Sequence, residues 1–269
     1  MRVRTAVIPC AGQGTRFRPI TRTVPKELLP IIATPALQLV LDECVGAGID
    51  HVVLVSSHDK PAIERFGKDA EQEMAGLKIS IAYQDEPRGL GHAVGCAREA
   101  VGDEPFAVLL PDELMSGSQL LAQMIDVCER TGGSVVGLKR VPMHEVGAYG
   151  VIAPAGDLDA NGVVPIATMV EKPPVEDAPS DLIIIGRYVL TNNVFDLIER
   201  LPPGAKGEIQ LTDALRQQAE AGPFHGVLSR IGRHDTGNPL GWLTAVVDLA
   251  IDDPTVGPEF TAWLRGRLG

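Results

Sequence analysis

The chain has 269 residues, of which 45% are hydrophobic and 22% charged, and a formal net charge of −11 at pH 7. That length can bury a substantial core, and the composition is that of an ordinary globular protein. The acidic balance excludes broad binding to nucleic acid or to an acidic membrane surface, both of which want a basic face.

Salt screens a distant negative field, so a few local cations can still hold a small anion. No apolar run approaches the roughly 20 residues that a membrane span needs. The first strand pattern starts so near Met1 that no secretory signal is expected, which points to the cytoplasm. Cys10, Cys44, Cys96 and Cys128 are scattered with no C-x-x-C pair. They read as buried thiols in a reducing compartment rather than as a zinc or disulfide framework.

Strand and helix patterns then alternate. Residues 4–9 predict a strand that runs into a loop of small residues ending at Arg16. Residues 35–47 carry Leu37, Val40, Leu41 and Cys44 at helical spacing, with Gly46 and Gly48 marking the stop. Next come a strand at 51–56, a charged amphipathic helix over 60–76, a strand at 77–83, a helix over 90–101 and an apolar strand at 106–110. This rhythm argues for a parallel sheet covered by helices on both faces. Beyond Asp112 the order is less regular. Helices are expected over 120–130, 192–200, 209–221, 240–252 and 258–268, and strands at 134–139, 149–153, 166–171, 182–189 and 227–231. With no repeat, low-complexity tract or linker, a single mixed α/β domain over 1–269 is the simplest account.

Several short patterns carry chemistry. Gly12 and Gly14 follow the first strand, where glycine lets the backbone approach a ligand and turn its N–H groups toward phosphate oxygens. Arg16 and Lys26 supply the positive charge a triphosphate needs. Phe17 occupies the place of a third dinucleotide-fingerprint glycine, Ser56-Ser57 stand where that fold needs an acid, and the G-K-[ST] of a P-loop is missing. A dehydrogenase is therefore disfavoured.

Asp112 ends a buried strand, where ligands of open α/β sheets bind. It suits Mg²⁺, and equally a helix N-cap. Asp235, in His234-Asp235-Thr236-Gly237-Asn238, could share that metal or close an Asx turn. Glu171-Lys172 could give one hydroxyl acceptor and one phosphate donor, or be a surface pair. Gln84 and the Gly89-Leu90-Gly91-His92-Ala93 turn look like base-edge and backbone contacts.

Taken in order, these residues resemble the bacterial UTP–glucose-1-phosphate uridylyltransferase family. The matches are A-V-I-P-x-A-G-x-G-T-R-F at 6–17, P-K-E-x-L-P at 25–30, G-L-G-H-A-V at 89–94, V-G-D-E-P at 101–105 and L-P-D at 110–112. A-Y-G-V at 148–151, V-E-K-P at 170–173, G-R-Y-V-L at 186–190, G-E-I-Q-L-T-D-A at 207–214 and H-D-x-G-N-x-L-G at 234–241 follow.

The resemblance implies a Rossmann-like nucleotidyltransferase fold, a mixed and mostly parallel sheet with helices on both faces. It implies Mg²⁺ as cofactor, UTP and glucose 1-phosphate as substrates, and a homo-oligomer of two or four copies. It assigns Ala11, Gly12, Gly14 and Thr15 to the nucleotide by way of the loop, Gln84 and Gly89 to the uracil edge, and Glu27 beside them. Arg16 and Lys26 would hold the triphosphate and act in catalysis. Asp112 and Asp235 would bind the metal, Asp112 also facing the sugar. Gly150, Glu171 and Gly186 would line the sugar pocket, and Lys172 would bind the sugar phosphate as the third catalytic group.

There are departures. The segment between Ser56 and Tyr83 is shorter than usual in the family, Pro239 replaces a lysine, Arg18 replaces an apolar residue, and Arg22 stands where lysine is common. A thymidylyltransferase of the same fold is the nearest rival. A non-catalytic nucleotide-binding regulator is the rival of another class, but it would be expected to lose the charged residues that are all present here.

Overall fold

The computed structural model describes residues 2–204 and 207–268. Strand β1 (Thr5–Pro9) leads into a loop and a short hairpin of β2 (Pro30–Ile31) and β3 (Thr34–Pro35). Helix α1 (Ala36–Gly46), β4 (His51–Ser56), α2 (Pro61–Glu73), β5 (Lys78–Tyr83), the short helices α3 (Leu90–Gly95) and α4 (Arg98–Val101), and β6 (Phe106–Leu109) complete the first half. The second half contains β7 (Glu113–Met115), α5 (Gln119–Thr131), β8 (Ser134–Arg140), β9 (Gly150–Pro154), β10 (Val163–Glu171) and β11 (Leu182–Leu190). It ends with α6 (Val194–Arg200), α7 (Leu211–Ala221), β12 (Phe224–Leu228), β13 (Arg233–Asp235), α8 (Pro239–Asp252) and α9 (Gly257–Leu268). Among the described residues no helix is long and apolar enough to cross a membrane.

Nine strands form one sheet in the order β5-β4-β1-β6-β11-β8-β12-β10-β9. Strands β5, β4, β1 and β6 are parallel neighbours, and β11 is antiparallel to both β6 and β8. Strands β8 and β12 are parallel, and β10 runs against β12 and β9. Only β10 and β11 are reversed, so the sheet is mixed and mostly parallel, as expected. Alternation along β1 shows why both faces are covered. Ala6 and Ile8 point into one core with Leu37 and Leu41 of α1, Ile63 of α2 and Met124 of α5. Val7 points into the other with Val94 of α3, Phe195 and Ile198 of α6 and Leu215 of α7. Successive strand side chains face opposite ways, and each fully buried aliphatic one contributes about 1.5–3 kcal/mol.

Two element expectations need correction. The helix read over 90–101 is broken at Cys96-Ala97 into α3 and α4. The break follows Gly95, whose missing side chain lets the helix crowd Ile198 of α6, where a Cβ would lie 3.2 Å from a methyl group. The strand read at 227–231 lies at Phe224–Leu228 instead. Gly226, opposite Val136, leaves room for Leu138, so pairing extends back to Phe224 and Ile231 falls outside it. The short strands β7 and β13 carry no periodic signal and are absent from the sequence reading.

Three of the four thiols, Cys10, Cys44 and Cys128, are buried, and none of the four is in a disulfide. Burial pushes the Cys10 and Cys44 thiols far up, as it does the Cys128 thiol, to about 11. They are inert core residues.

Candidate active site

The carboxyl ends of β1, β4, β5 and β6 open onto a cleft. Pro9, Ala11, Gly12, Lys26, Glu27, Gln84, Gly89, Leu110 and Asp112 line it. Six of the residues expected at the nucleotide therefore meet there: Ala11, Gly12, Lys26, Glu27, Gln84 and Gly89.

Lys60, which no motif singled out, shapes the loop after β1. Its ammonium donates to the carbonyls of Cys10 at 2.6 Å and Gly12 at 2.5 Å, and pairs with Glu27 at 3.1 Å. A trans peptide points its N–H opposite to its C=O, so the amides of Ala11 and Gln13 face away from Lys60. Among the described residues the N–H groups of 11–14 have no backbone acceptor, which is the anion-binding arrangement of a backbone nest. Burial drives the Glu27 carboxyl above its usual range, against the pull of Lys60 and Lys26, and its Oε1 has no partner.

Gly14 and Thr15 do not line the cleft. Gly14, with φ of +59°, takes the Thr21 hydroxyl on its carbonyl at 2.8 Å, and the 3₁₀ turn that follows presents Arg16. Arg16 is exposed and reaches the Gly237 carbonyl at 3.3 Å.

Gly237 marks where the metal candidates converge. A Cβ placed on it would lie 3.1 Å from Oδ1 of Asp235 and 3.2 Å from Oδ2 of Asp112. The ribbon of β7 and β13 brings them together, pairing Asp235 with Glu113, while the Thr236 amide and hydroxyl both donate to the Asp112 carbonyl at 2.7 and 3.0 Å. Asp112 does not cap a helix, because β7 follows it and α5 begins at Gln119. The cap of α8 is Asn238, with Pro239 as the first helical residue, a position where its missing N–H costs nothing. Asp235 does accept from the Gly237 amide at 2.9 Å, so its Asx turn forms as well.

Lys26 donates to Asp112 at 2.5 Å. Burial alone would raise the Asp112 carboxyl, but Lys26, a backbone hydrogen bond and Arg16 together outweigh it and the net shift is downward. Two hard carboxylates brought together at Gly237 fit a magnesium ion. No group of three or more His, Cys, Asp or Glu side chains occurs among the described residues, so phosphate oxygens and water would complete its shell.

The sugar candidates lie around β9–β11. Gly150 pairs with Glu171 across the β9–β10 ladder. Glu171 accepts from Thr212 at 2.7 Å and pairs with Lys172 at 2.9 Å. Lys172 is exposed and holds a φ of +46°, which a non-glycine residue adopts only where its surroundings impose it. Gly186 lies where a Cβ would strike Leu110 at 2.8 Å and Glu113 at 3.0 Å, so only glycine brings β11 this close to the Asp112 turn. Tyr188 joins the two groups. Burial raises its hydroxyl pKa, helped by the nearby charges of Glu113, Glu171 and Asp112.

Arg187 is the other residue that sequence reasoning missed. It is 0% exposed. It grips Glu43 of α1 with two bonds of 2.8 and 2.6 Å and donates to the carbonyls of Leu110, Gly186 and Glu113. One guanidinium thus ties the middle of β11 to α1, to the residue after β6 and to the start of β7.

The Nucleotidyl transferase family model matches residues 5–250. UTP–glucose-1-phosphate uridylyltransferase YngB of Bacillus subtilis (strain 168) is 39% identical over 98% of this chain and 95% of the relative. The chain belongs to the UTP–glucose-1-phosphate uridylyltransferase family. Two solved structures of this family superpose on the uridylyltransferase fold seen here. UDP-glucose pyrophosphorylase complexed with UDP-glucose matches with a TM-score of 0.87 at 35% identity, covering 93% of this chain and 100% of the other. UTP-bound UGPase from Acinetobacter baumannii matches with a TM-score of 0.87 at 34% identity, covering 97% and 98%.

Proposed function

We propose that the chain converts UTP and α-D-glucose 1-phosphate to UDP-glucose and pyrophosphate, with Mg²⁺, in the cytoplasm and as a homo-oligomer. The observation that carries this reading is the convergence of Arg16, Lys26, Asp112 and Asp235 at one end of a cleft whose other end holds Gln84 and Gly89. A sugar-phosphate oxygen attacks the α-phosphorus in line. The new P–O bond forms as the bond to the β-phosphate bridging oxygen breaks, and pyrophosphate leaves with the electron pair.

No protein nucleophile is required. The protein aligns two anions that repel one another and neutralises charge on the leaving group. Lys172 orients the attacking phosphate, Lys26 holds the triphosphate, and Arg16 faces the departing pyrophosphate. Asp112 and Asp235 would hold the metal, which when bound would supply positive charge to offset the negative charge of the phosphates. Glu171 and the close backbone approaches at Gly150 and Gly186 receive the sugar. The exposed Leu240, Leu243 and Trp263 of α8 and α9 offer an apolar surface to a second copy.

The test is pyrophosphate release with Mg²⁺, comparing UTP with dTTP on glucose 1-phosphate and glucose 1-phosphate with galactose 1-phosphate on UTP. Fast release with UTP and glucose 1-phosphate alone is expected. A preference for dTTP would move the chain to the thymidylyl reaction. No release from protein that still binds UTP would make it a nucleotide-binding regulator.

A further inference from the structure

One buried amide at the cleft has its orientation fixed by two neighbours. Gln84, 6% exposed, follows β5 at the cleft. Its Nε2 lies 3.1 Å from the Gly89 carbonyl oxygen and 2.9 Å from Nδ1 of His92. A carbonyl only accepts, so the atom facing Gly89 must be the amide nitrogen. The same nitrogen faces His92, so Nδ1 must be the unprotonated acceptor. The imidazole proton then sits on Nε2, which points toward the Cys96 thiol at 4.0 Å. Both amide hydrogens are used, and Oε1 is left for the cleft.

Beside it, the Arg88 carbonyl accepts from Ile209 N–H at 2.7 Å, which turns the Gly89 N–H to the opposite side of that peptide. The cleft wall therefore presents an acceptor next to a donor. Uracil offers the complement, its N3–H beside a carbonyl, whereas cytosine seated in the same register sets its unprotonated N3 against Oε1.

Resting on the reading above that the base meets Gln84 and Gly89, we propose that His92 is a specificity-determining positioning residue. It accepts the second amide hydrogen of Gln84 and so locks the side chain in the orientation that takes a uracil and turns away a cytosine. His92 does not itself touch the base. The charged and titratable groups around it are Glu86 and Arg88 in the preceding loop, Cys96 just after α3, Arg98 at the start of α4 and Glu199 of α6. Burial, then Arg88, hold the imidazole below its ordinary 6.5, which keeps Nδ1 free at neutral pH.

The experiment measures kcat and KM with UTP and with CTP for wild type, His92→Ala, His92→Gln and Gln84→Ala, with wild type and His92→Gln followed also from pH 7.5 to 5. In His92→Ala the KM for UTP should rise about tenfold with kcat little changed, the cost of losing one neutral hydrogen bond that orders a buried group. The UTP-to-CTP ratio of kcat/KM should fall by a similar factor. His92→Gln, whose side-chain oxygen can accept from Gln84, should restore both. It should also abolish the acid-side rise in UTP KM that wild type shows when Nδ1 gains its proton.

Unchanged KM and ratio in His92→Ala, with a raised KM in Gln84→Ala, would overturn the role of His92 and leave the base contact standing. Unchanged KM in Gln84→Ala would overturn both. If His92→Ala fails to fold, His92→Gln decides alone: loss of the acid-side rise supports the proposal, and its persistence overturns it.

Discussion

Lys172 and Asp112, proposed above to meet the sugar phosphate and the metal, each yield a prediction. Lys172 is exposed and supports no core contact, so Lys172→Ala should leave the melting temperature unchanged. Turnover should fall roughly a hundred- to a thousandfold, the usual cost of removing one stabilising charge contact. Steady-state kinetics beside a thermal melt check both halves, and near-normal turnover removes Lys172 from the mechanism. Asp112 predicts a pH effect. Its folded carboxyl ionises below the ordinary 3.8, because Lys26, a backbone hydrogen bond and Arg16 together outweigh burial. The ion pair therefore adds stability that is complete above that ordinary value and is lost as pH falls through the lower folded one. Asp112→Asn should flatten the wild-type loss of stability in melts taken from pH 5 to pH 2.5. These residues were legible in the sequence because they sit inside motifs. Lys60 was not. Its target is a pair of backbone carbonyls 50 and 48 residues earlier, and no sequence pattern records a contact between a side chain and a distant peptide.

At the scale of elements, the fastening of β6, β7 and β11 by Arg187 is the connection most open to test. Arg187→Met leaves Glu43 charged and unpartnered in the core, and takes one donor from each of three carbonyls. It should destabilise the fold by about 3–5 kcal/mol, whereas adding Glu43→Leu to it should recover much of the loss, because the buried charge goes too. Chemical denaturation of wild type, single and double variants checks this, and a single variant as stable as wild type refutes the role. The helices and long strands were readable because their apolar periods, 3.6 and 2, agree with what they pack against. Strands β7 and β13 were not readable. Each is three residues long and is held by a partner more than a hundred positions away. The displacement of β12 has the same origin. A glycine at 226 reads as a strand breaker until Leu138 is seen to need the space.

Across the whole molecule, the two cores share one sheet, and β11 contributes to both through Ile183, Ile185 and Val189 on one side and Ile184, Tyr188 and Leu190 on the other. We propose that the chain is one cooperative unit. It should unfold in a single transition, with coincident far-ultraviolet and tryptophan signals. Its apolar C-terminal surface predicts a sedimenting species of two or four copies, and Leu243→Glu should shift that distribution toward monomer without unfolding. The ribbon of β7 and β13 has a further consequence, one of timing. Residues as far apart as Asp112 and Thr236 must meet before the second carboxylate reaches the first. A polypeptide still being synthesised carries Arg16, Lys26 and Asp112 long before residue 235 leaves the ribosome. During that interval it lacks the second carboxylate that the proposed reaction needs. Stalled nascent chains ending short of residue 233 should therefore release no pyrophosphate, and activity should appear only once that late segment has folded back.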